Sequence, residues 1–326
     1  MTPKVVAGID LGGTHTKLGL VSDRGHILWR HQIATTDFAE PQTFADAVAA
    51  LLLQAAERQQ MQLVGLGIGA PNGNPLTGTI AFAPNLQWKG TIPMVALLQE
   101  RLQLPVCLTN DAKAAALGEK YFGAAAEFND FIVITLGTGL GSGIFSGGRL
   151  VYGHDGFAGE LGHVTIRHDS NRRCGCGRWG CLETYVSNSG LLTTYQEILQ
   201  RLQLQEVHQS VHSDAAAIYQ LAQTGFGPAQ MAFEHFGNML GEGLALAVQL
   251  LRPAAVFLTG GLSQASELFL PAVMDSLHAH VLPIFQGKIP VTPSALPPGD
   301  SAVLGAASLV WQQHDGLFRS AVSAPV

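Results

Sequence analysis

One histidine and three cysteines form the most chemically specific pattern in this sequence. His163 is followed within one short segment by Cys174, Cys176 and Cys181. Three thiolates and one imidazole can close a tetrahedral zinc site that has four protein ligands and no open position for water. The alternative is a disulfide with one spare thiol, but Cys174 and Cys176 are too close in sequence for an easy bridge. We therefore expect a structural zinc ion.

Two glycine-rich turns resemble one another and suggest a phosphate site. Residues 10–14 read Asp-Leu-Gly-Gly-Thr between two apolar runs, and the segment from Leu136 places glycines in a similar setting. Glycines let consecutive N–H groups converge on an anion, and a neighbouring carboxylate can hold the hydrated Mg2+ of a nucleotide. A third glycine pair follows an apolar run, where packing alone is an equally good explanation. The candidates for nucleotide binding are Asp10, Gly12, Gly13, Thr14, Gly137, Thr138, Gly139, Gly260 and Gly261.

Asp111 lies between a short strand and an alanine-rich helix predicted from Lys113 to Lys120. On spacing alone it is either the N-cap of that helix or a general base. In the second case, the helix N-terminus should favour its ionised form. Both interpretations stay open at this point.

Hydrophobic periodicity predicts the elements that must position these residues. Apolar runs at Val5–Ile9 and Phe131–Leu136 precede the two turns, and the second turn is predicted to extend to Gly143. Helical patterns begin at Pro41 and Pro93, and a long apolar stripe runs from Phe233 to Leu251. The repeated strand, turn and strand indicate an internally duplicated architecture.

The same patterns divide the chain into two domains. The first covers about residues 1–112 and is rejoined by a last helix at 300–314; the second covers 113–299 and includes the zinc loop 163–181. Residues 292–298 are predicted to be a linker, and residues 315–326 to be a loose tail.

Composition excludes several classes of protein. Of 326 residues, 47% are hydrophobic and 13% charged, and 18 basic against 24 acidic side chains give a net charge of -6. The hydrophobic content excludes wholesale disorder, and the acidic balance argues against nucleic-acid binding. We see neither a membrane span nor a secretory signal, so we expect a cytoplasmic protein.

Several motifs in order along the chain resemble the ROK family of sugar kinases. They are Asp10-Leu-Gly-Gly-Thr14, Asn110-Asp111, Leu136-Gly-Thr-Gly-Leu-Gly-Ser-Gly143, Gly159-Glu-Leu-Gly-His163, the cysteine segment from Cys174 to Glu183, and Thr259-Gly-Gly-Leu-Ser263. The resemblance implies an α/β fold of two ribonuclease-H-like, actin-like ATPase domains flanking a central cleft. It also implies an ATP-dependent hexose kinase that uses Mg2+ with ATP and forms a homodimer or tetramer. The expected product is a hexose phosphorylated on its 6-hydroxyl, with glucose as the first candidate substrate.

The resemblance also assigns roles to individual residues. It makes Asp111 the base that accepts the proton of the attacking sugar hydroxyl. It makes sugar ligands of Asn85, Asn110, Asp111, Glu160, His163 and Glu183. The metal then ties Glu160 and Glu183 into one rigid rim.

Other functions are compatible with the same motifs. The substrate could be N-acetylglucosamine, N-acetylmannosamine, fructose, mannose or allose, because such kinases differ only around one or two hydroxyls. A sugar-sensing repressor is disfavoured because the first strand begins at Val5 and leaves no room for a helix-turn-helix. A sugar-binding protein without activity is disfavoured because Asp10, Thr14, Asp111 and Thr138 are all present.

Three positions depart from the family pattern. Lys113 replaces a common asparagine, while Asn72 and Asn188 replace common glycines. None of the three removes a proposed catalytic or metal-binding group, but Asn72 and Lys113 leave the identity of the sugar open.

Overall fold

A computed structural model describes residues 2–204, 214–297 and 299–314. The predicted tail at 315–326 lies outside these residues, as do residues 205–213. The chain forms two compact units. Unit 1 contains the described residues up to Glu127, Leu150–Ala158 and those from Ala295 onward; unit 2 contains Phe128–Arg149 and Gly159–Ser294. Among the described residues, no helix is long and apolar enough to cross a bilayer.

Unit 1 is built on a five-stranded sheet with helices on both faces. Its strands in chain order are β1 (Lys4–Leu11), β2 (His15–Val21), β3 (Ile27–Ala34), β4 (Gln62–Ala70), three short strands β5 (Gly73–Asn74), β6 (Thr79–Ala81) and β7 (Thr91–Ile92), and β8 (Val106–Asn110). Its helices are α1 (Pro41–Arg58), α2 (Met94–Leu102), α3 (Asp111–Phe122) and, near the end of the described chain, α8 (Asp300–His314). The sheet order is β3-β2-β1-β4-β8, and β4 runs parallel to both β1 and β8.

The two faces of this sheet have different packing. Successive strand residues point to opposite faces. Accordingly, Val5 and Ala7 of β1 lie in the hydrophobic core between the sheet and helices α1 and α2. Val6 lies in a second core, between the sheet and α8. On the α8 face, glycine lets the helix lie directly on the strands: a Cβ added to Gly67 would lie 1.7 Å from the backbone oxygen of Ala306.

Unit 2 repeats this plan with more helix. Its strands are β9 (Phe131–Leu136), β10 (Leu140–Ser146), β11 (Arg149–Leu150), β12 (Ala255–Thr259) and β13 (Val291–Pro293), in the order β11-β10-β9-β12-β13. Its helices are α4 (Asn188–Arg201), α5 (Ala215–Gln223), α6 (Gly227–Leu251) and α7 (Ser266–His280). The hairpin β9–β10 with its parallel neighbour β12 matches the hairpin β1–β2 with β4. The predicted duplicated α/β architecture is confirmed.

Three expectations about elements need correction. The second turn ends at Gly139, because residues 140–145 pair with β9 despite their glycines. The predicted linker begins with a strand, because Val291 to Pro293 pair with β12 at the sheet edge, where proline is tolerated. Unit 1 extends to Glu127 rather than to residue 112, because α3 packs closely against α8: a Cβ on Gly305 would lie 1.7 Å from the oxygen of Ala114.

Candidate active site

The parallel strands of unit 1 bring two carboxylates together. Asp10 pairs in register with Gly69 of β4, and Ala70 pairs with Asn110 of β8, so Asp10 and Asp111 leave the sheet at the same edge. Burial raises the pKa of Asp10 from 3.8 to about 6, helped by repulsion from Asp111, while Lys17 across the β1–β2 hairpin lowers it. Both aspartates remain partly exposed, so a ligand can reach them.

Asp111 is the first residue of α3 and is not its N-cap. That role falls to Asn110, whose Oδ1 accepts hydrogen bonds from the backbone N–H groups of Ala112 (3.0 Å) and Lys113 (3.3 Å). The N-cap interpretation of Asp111 was therefore wrong by one residue. Its own Oδ1 accepts the Ala112 N–H at 2.8 Å.

The direction of the pKa shift of Asp111 also differs from expectation. Burial raises its pKa, and this effect outweighs the lowering by backbone hydrogen bonds, by Lys113 and by Asn110. We expected the helix N-terminus to dominate and favour the ionised form. The raised pKa makes Asp111 a stronger base once it is ionised.

The first glycine turn packs against the loop that carries Asn85. A Cβ added to Gly13 would lie 2.2 Å from the backbone oxygen of Asn85, so only glycine allows this approach. The loop is anchored further along, where the indole N–H of Trp88 donates to the Phe38 oxygen at 2.8 Å. Asn85 and Thr14 are both exposed. The sequence-predicted residues Asp10, Gly12, Gly13, Thr14, Asn85, Asn110 and Asp111 therefore all belong to unit 1.

The second turn and the third glycine pair lie at one sheet edge in unit 2. Gly260 has φ +95°, and a Cβ there would lie 2.3 Å from the Leu136 oxygen, so this glycine is required by packing. Gly137 and Gly261 are different, because a Cβ on either would meet no atom within 4 Å. Packing does not explain these two glycines, and Thr138 is exposed beside them. The open backbone could receive phosphate oxygens.

The four predicted metal ligands converge in unit 2. The ligating atoms of His163, Cys174, Cys176 and Cys181 all lie within 4.8 Å of one another. The Cys174 Sγ lies 3.5 Å from His163 Nδ1, and the Cys176 and Cys181 sulfurs are 3.7 Å apart. A zinc tetrahedron with Zn–S of about 2.3 Å and Zn–N of about 2.0 Å has edges of about 3.5 and 3.8 Å. The donor set therefore fits a tetrahedral ion, and all four cysteines of the chain are free thiols.

The two glutamates beside the metal ligands have different surroundings. Glu160 is exposed, and its backbone oxygen accepts the His163 N–H at 3.0 Å. Glu183 is partly buried, and its Oε2 accepts the Leu140 N–H at 3.0 Å. Glu183 thus connects the cysteine segment to the second glycine turn. No local sequence pattern predicts this link, because the two residues are 43 positions apart.

A buried arginine, Arg172, also went unpredicted; it lies in the segment that carries the cysteine ligands. Arg172 donates to the Thr184 oxygen (3.0 Å) and binds the carboxylate of Glu197 at 2.6 Å, while its guanidinium lies 4.3 Å from the Tyr185 ring centre. It braces the segment that carries Cys174 and Glu183 against α4. An arginine next to a cysteine motif gives no signal of such a role in the sequence.

The three residues that depart from the family pattern have the following surroundings. Asn72 has φ +50°, a region that favours glycine and tolerates asparagine, and its Nδ2 donates to the Ala81 oxygen at 3.0 Å. Asn188 begins α4 after the N-cap Ser187, and its N–H donates to the Gly137 oxygen at 2.9 Å. Lys113 is buried in the first turn of α3.

Comparison with known proteins decides the family. The ROK family profile matches residues 6–313. The chain belongs to the ROK family. A glucokinase of Halalkalibacterium halodurans is 30% identical to it over 98% of both chains. A ROK family glucokinase from Streptomyces griseus, solved with glucose and AMPPNP, is 31% identical with a TM-score of 0.80, covering 94% of this chain and 98% of that one.

A relative with a different name shares the same family. A putative xylose repressor of a Caldicellulosiruptor species is 32% identical over 82% of this chain and 68% of its own length. Membership alone therefore leaves both a kinase and a sensor open, and the site residues must distinguish them.

Proposed function

We propose that this ROK-family chain is an ATP-dependent hexose kinase that transfers the γ-phosphoryl group to the 6-hydroxyl of glucose. The observation that carries the proposal is the pair Asp10 and Asp111, two partly exposed carboxylates at one edge of a parallel sheet. Asp10 binds on the nucleotide side, and Asp111 acts on the sugar. Relatives named glucokinase support the choice of glucose.

Asp111 acts on the sugar hydroxyl. Its carboxylate accepts the hydroxyl proton while the sugar oxygen forms a bond to the γ-phosphorus. The bond from that phosphorus to the β,γ-bridging oxygen breaks, and ADP leaves with the electron pair. The raised pKa of Asp111 strengthens it as the proton acceptor. Such transfer depends mainly on positioning and charge stabilisation.

The glycine turns and Asp10 hold the nucleotide. Backbone N–H groups of Gly13, Thr138 and Gly139 donate to phosphate oxygens, and Thr14 and Thr138 add exposed hydroxyls. Gly12 and Gly137 shape the two turns, since their N–H groups donate to the oxygens of His15 and Gly139 at 3.1 Å. Asp10 accepts hydrogen bonds from the water shell of the Mg2+ that accompanies ATP. The open backbone at Gly137 and Gly261 supports this assignment.

The sugar ligands and the metal form the remainder of the proposed site. The sugar hydroxyls are bound by Asn85, Asn110, Glu160, His163 and Glu183. The ion is Zn2+, because three thiolates and one imidazole are the ligands it prefers and the interatomic distances match its tetrahedron. With four protein ligands it organises the loop and supplies no chemical step.

Replacing Asp111 by Asn tests the mechanism. We expect kcat for glucose to fall by about a thousandfold or more, because general bases of this kind contribute roughly 100- to 10,000-fold. Glucose affinity, measured by calorimetry, should change little. Asp46→Asn is a control that removes an exposed carboxylate bound to Arg101. Near-normal turnover of Asp111→Asn, measured as coupled ADP release, would refute the role.

A panel of hexoses tests the substrate. The kcat/KM for glucose should exceed the values for N-acetylglucosamine, N-acetylmannosamine, mannose, fructose and allose, because discrimination is expressed in that ratio. A repressor-type sensor, as the name of one relative suggests, would bind sugar without ADP release.

The remaining proposals concern assembly and compartment. We propose a cytoplasmic location. The four cysteines, Cys107 and the three clustered ones, are free thiols, and a reducing compartment preserves thiols. We also keep a homo-oligomer, dimer or tetramer, without nucleic-acid or membrane partners. Light scattering after gel filtration measures the oligomeric state.

A further inference from the structure

Cys176 is the exposed thiol of the proposed zinc ligand set. Only 4% of Cys174 and none of Cys181 is accessible to solvent, whereas Cys176 is exposed. Both of its chain neighbours are glycines, and a Cβ added to Gly175 or Gly177 would meet no atom within 4 Å. A small molecule in solution therefore has an open approach to Cys176, while the other two thiols are covered.

Cys181 is the thiol that Cys176 can reach. The turn between them contains Gly177 and Gly180, whose φ values of +89° and +69° favour glycine, and the two sulfurs lie 3.7 Å apart. A disulfide of about 2.05 Å requires them to approach by roughly 1.7 Å more. Cys174 is a poorer partner for Cys176, because a single intervening residue is too short a span for an easy bridge.

The chain holds these two sulfurs with different firmness. Cys181 is fully buried and forms a β-bridge with Thr165. Cys176 lies in a turn that is closed by the backbone N–H of Cys174, which donates to the Arg178 oxygen at 2.8 Å. The glycines on both sides of Cys176 give this turn conformational freedom. Cys176 is therefore the residue that moves when the two sulfurs approach one another.

We propose that Cys176 is an oxidation site for peroxides, and that its oxidation joins it to Cys181 in a disulfide that dismantles the zinc site. An accessible thiolate with a second thiol beside it is the usual arrangement of a redox-sensing cysteine. Disulfides in a reducing compartment are usually transient and redox-sensing. This inference rests on the proposed zinc ion and adds a reversible way of losing it.

The oxidation proceeds in two balanced steps. The Cys176 thiolate attacks one oxygen of hydrogen peroxide, so that an S–O bond forms, the O–O bond breaks and hydroxide leaves. The Cys181 thiolate then attacks the sulfur of this sulfenic acid, so that the S–S bond forms and a second hydroxide leaves. Each hydroxide takes up a proton from water. The two thiolates lose two electrons in total, and the peroxide is reduced to two water molecules.

The disulfide removes two of the four metal ligands. His163 and Cys174 remain, and two donors do not complete a tetrahedral zinc site. The loss extends to the proposed sugar ligand Glu183, whose Oε1 lies 3.6 Å from the Cys174 Sγ and whose Oε2 accepts the Leu140 N–H. Oxidation should therefore loosen the segment that presents Glu183 and weaken the binding of glucose.

The test treats the full-length protein, isolated with zinc under reducing conditions, with hydrogen peroxide. A chelating dye should detect one zinc ion released per chain, and the thiol count after denaturation should fall from four to two. Peptide mapping should place the disulfide between Cys176 and Cys181. Cys107 should stay reduced, because its sulfur is partly buried and lies 4.0 Å from the Leu309 oxygen. Dithiothreitol with added zinc should restore the thiols and the metal.

Two variants locate the sensitive thiol. Cys176→His replaces the exposed thiolate by an imidazole donor, so it should keep zinc in elemental analysis and retain it in peroxide. Cys107→Ala is the control and should release zinc as fast as the wild type. Equal zinc release from Cys176→His and the wild type would overturn the proposal. If Cys176→His holds no zinc, the peptide map of the oxidised wild type decides: a reduced Cys176, or a bond between Cys174 and Cys181, would overturn it.

Two outcomes separate this inference from the proposed function. Protein isolated under reducing conditions without zinc would refute the zinc assignment itself. Zinc that is present and stays bound in peroxide would refute only the oxidation site. In calorimetry, the Kd for glucose should rise about tenfold or more on oxidation, as expected when a hydrogen bond to a carboxylate is lost. Unchanged affinity after complete zinc release would refute the link to Glu183.

Discussion

Replacing Asp10 by Asn should stabilise the protein while impairing its activity. In the folded state, burial and the charge of Asp111 raise the pKa of Asp10 from 3.8 to about 6. The ionised carboxylate is therefore less favourable in the folded state than in the unfolded chain. Asparagine has nearly the same shape and no charge, so it removes this penalty.

The magnitude follows from the shift in pKa. About two units at about 1.4 kcal/mol each correspond to about 3 kcal/mol at neutral pH. The buried amide needs hydrogen-bond partners of its own, which reduces the expected gain to about 1–3 kcal/mol. At about 2–4 °C per kcal/mol, the melting temperature should rise by several degrees.

The effect of Asp10 on the free energy of unfolding has the opposite pH dependence to that of a typical aspartate. Because the folded pKa lies above the unfolded one, the penalty is absent below about pH 4 and complete above about pH 6. The advantage of Asp10→Asn over the wild type should therefore shrink from about 3 kcal/mol at pH 7.5 to about 1 kcal/mol at pH 4.5, before the correction for the amide.

Urea unfolding at both pH values measures this difference. Asp23→Asn is the matched control, since Asp23 is exposed in a turn of the same unit and should change stability by less than about 0.5 kcal/mol. The reasoning is refuted if Asp10→Asn is no more stable than the wild type at pH 7.5. It is equally refuted if the advantage is the same at pH 4.5.

Three further predictions address packing, the metal and acid. Gly67→Ala should lower the free energy of unfolding, measured in urea, by at least about 1–3 kcal/mol, because its Cβ would overlap the Ala306 oxygen. Gly137→Ala should unfold like the wild type and raise the KM for ATP. Cys176→Ala should abolish stoichiometric zinc in elemental analysis and lower the melting temperature, while Cys107→Ala should retain the metal. The KM for ATP should rise as pH falls below about 6, since protonated Asp10 no longer attracts hydrated Mg2+, and a flat profile in initial-rate assays would contradict this.

Local chemistry made several features of the fold and site predictable. The β-branched run of β1 and the glycines after it predicted a strand and a turn, and the structure shows both. The spacing of His163 and the three cysteines predicted a shared site, and their donor atoms do converge. In these cases the signal lies in neighbouring residues, so one short segment is sufficient to find it.

Features that depend on distant contacts escaped prediction. Burial raises the pKa of Asp111, and this burial depends on how distant strands pack together. The sequence shows only that a helix starts at this point. The pairing of residues 291–293 with β12 was hidden by prolines that usually mark a linker. Strand β3 went unnoticed because Arg30, His31 and Gln32 interrupt its apolar residues; half of its eight residues are exposed, as expected for an edge strand.

The membership of α8 in unit 1 has a consequence for synthesis on the ribosome. About 190 residues separate Glu127 from the end of α8, and at roughly 5–20 residues per second they take about 10–40 s to translate. During that time the nascent sheet of unit 1 exposes the apolar face that α8 later covers, including Val6 and Val21. Unit 1 therefore cannot complete its core until the last helix has been synthesised.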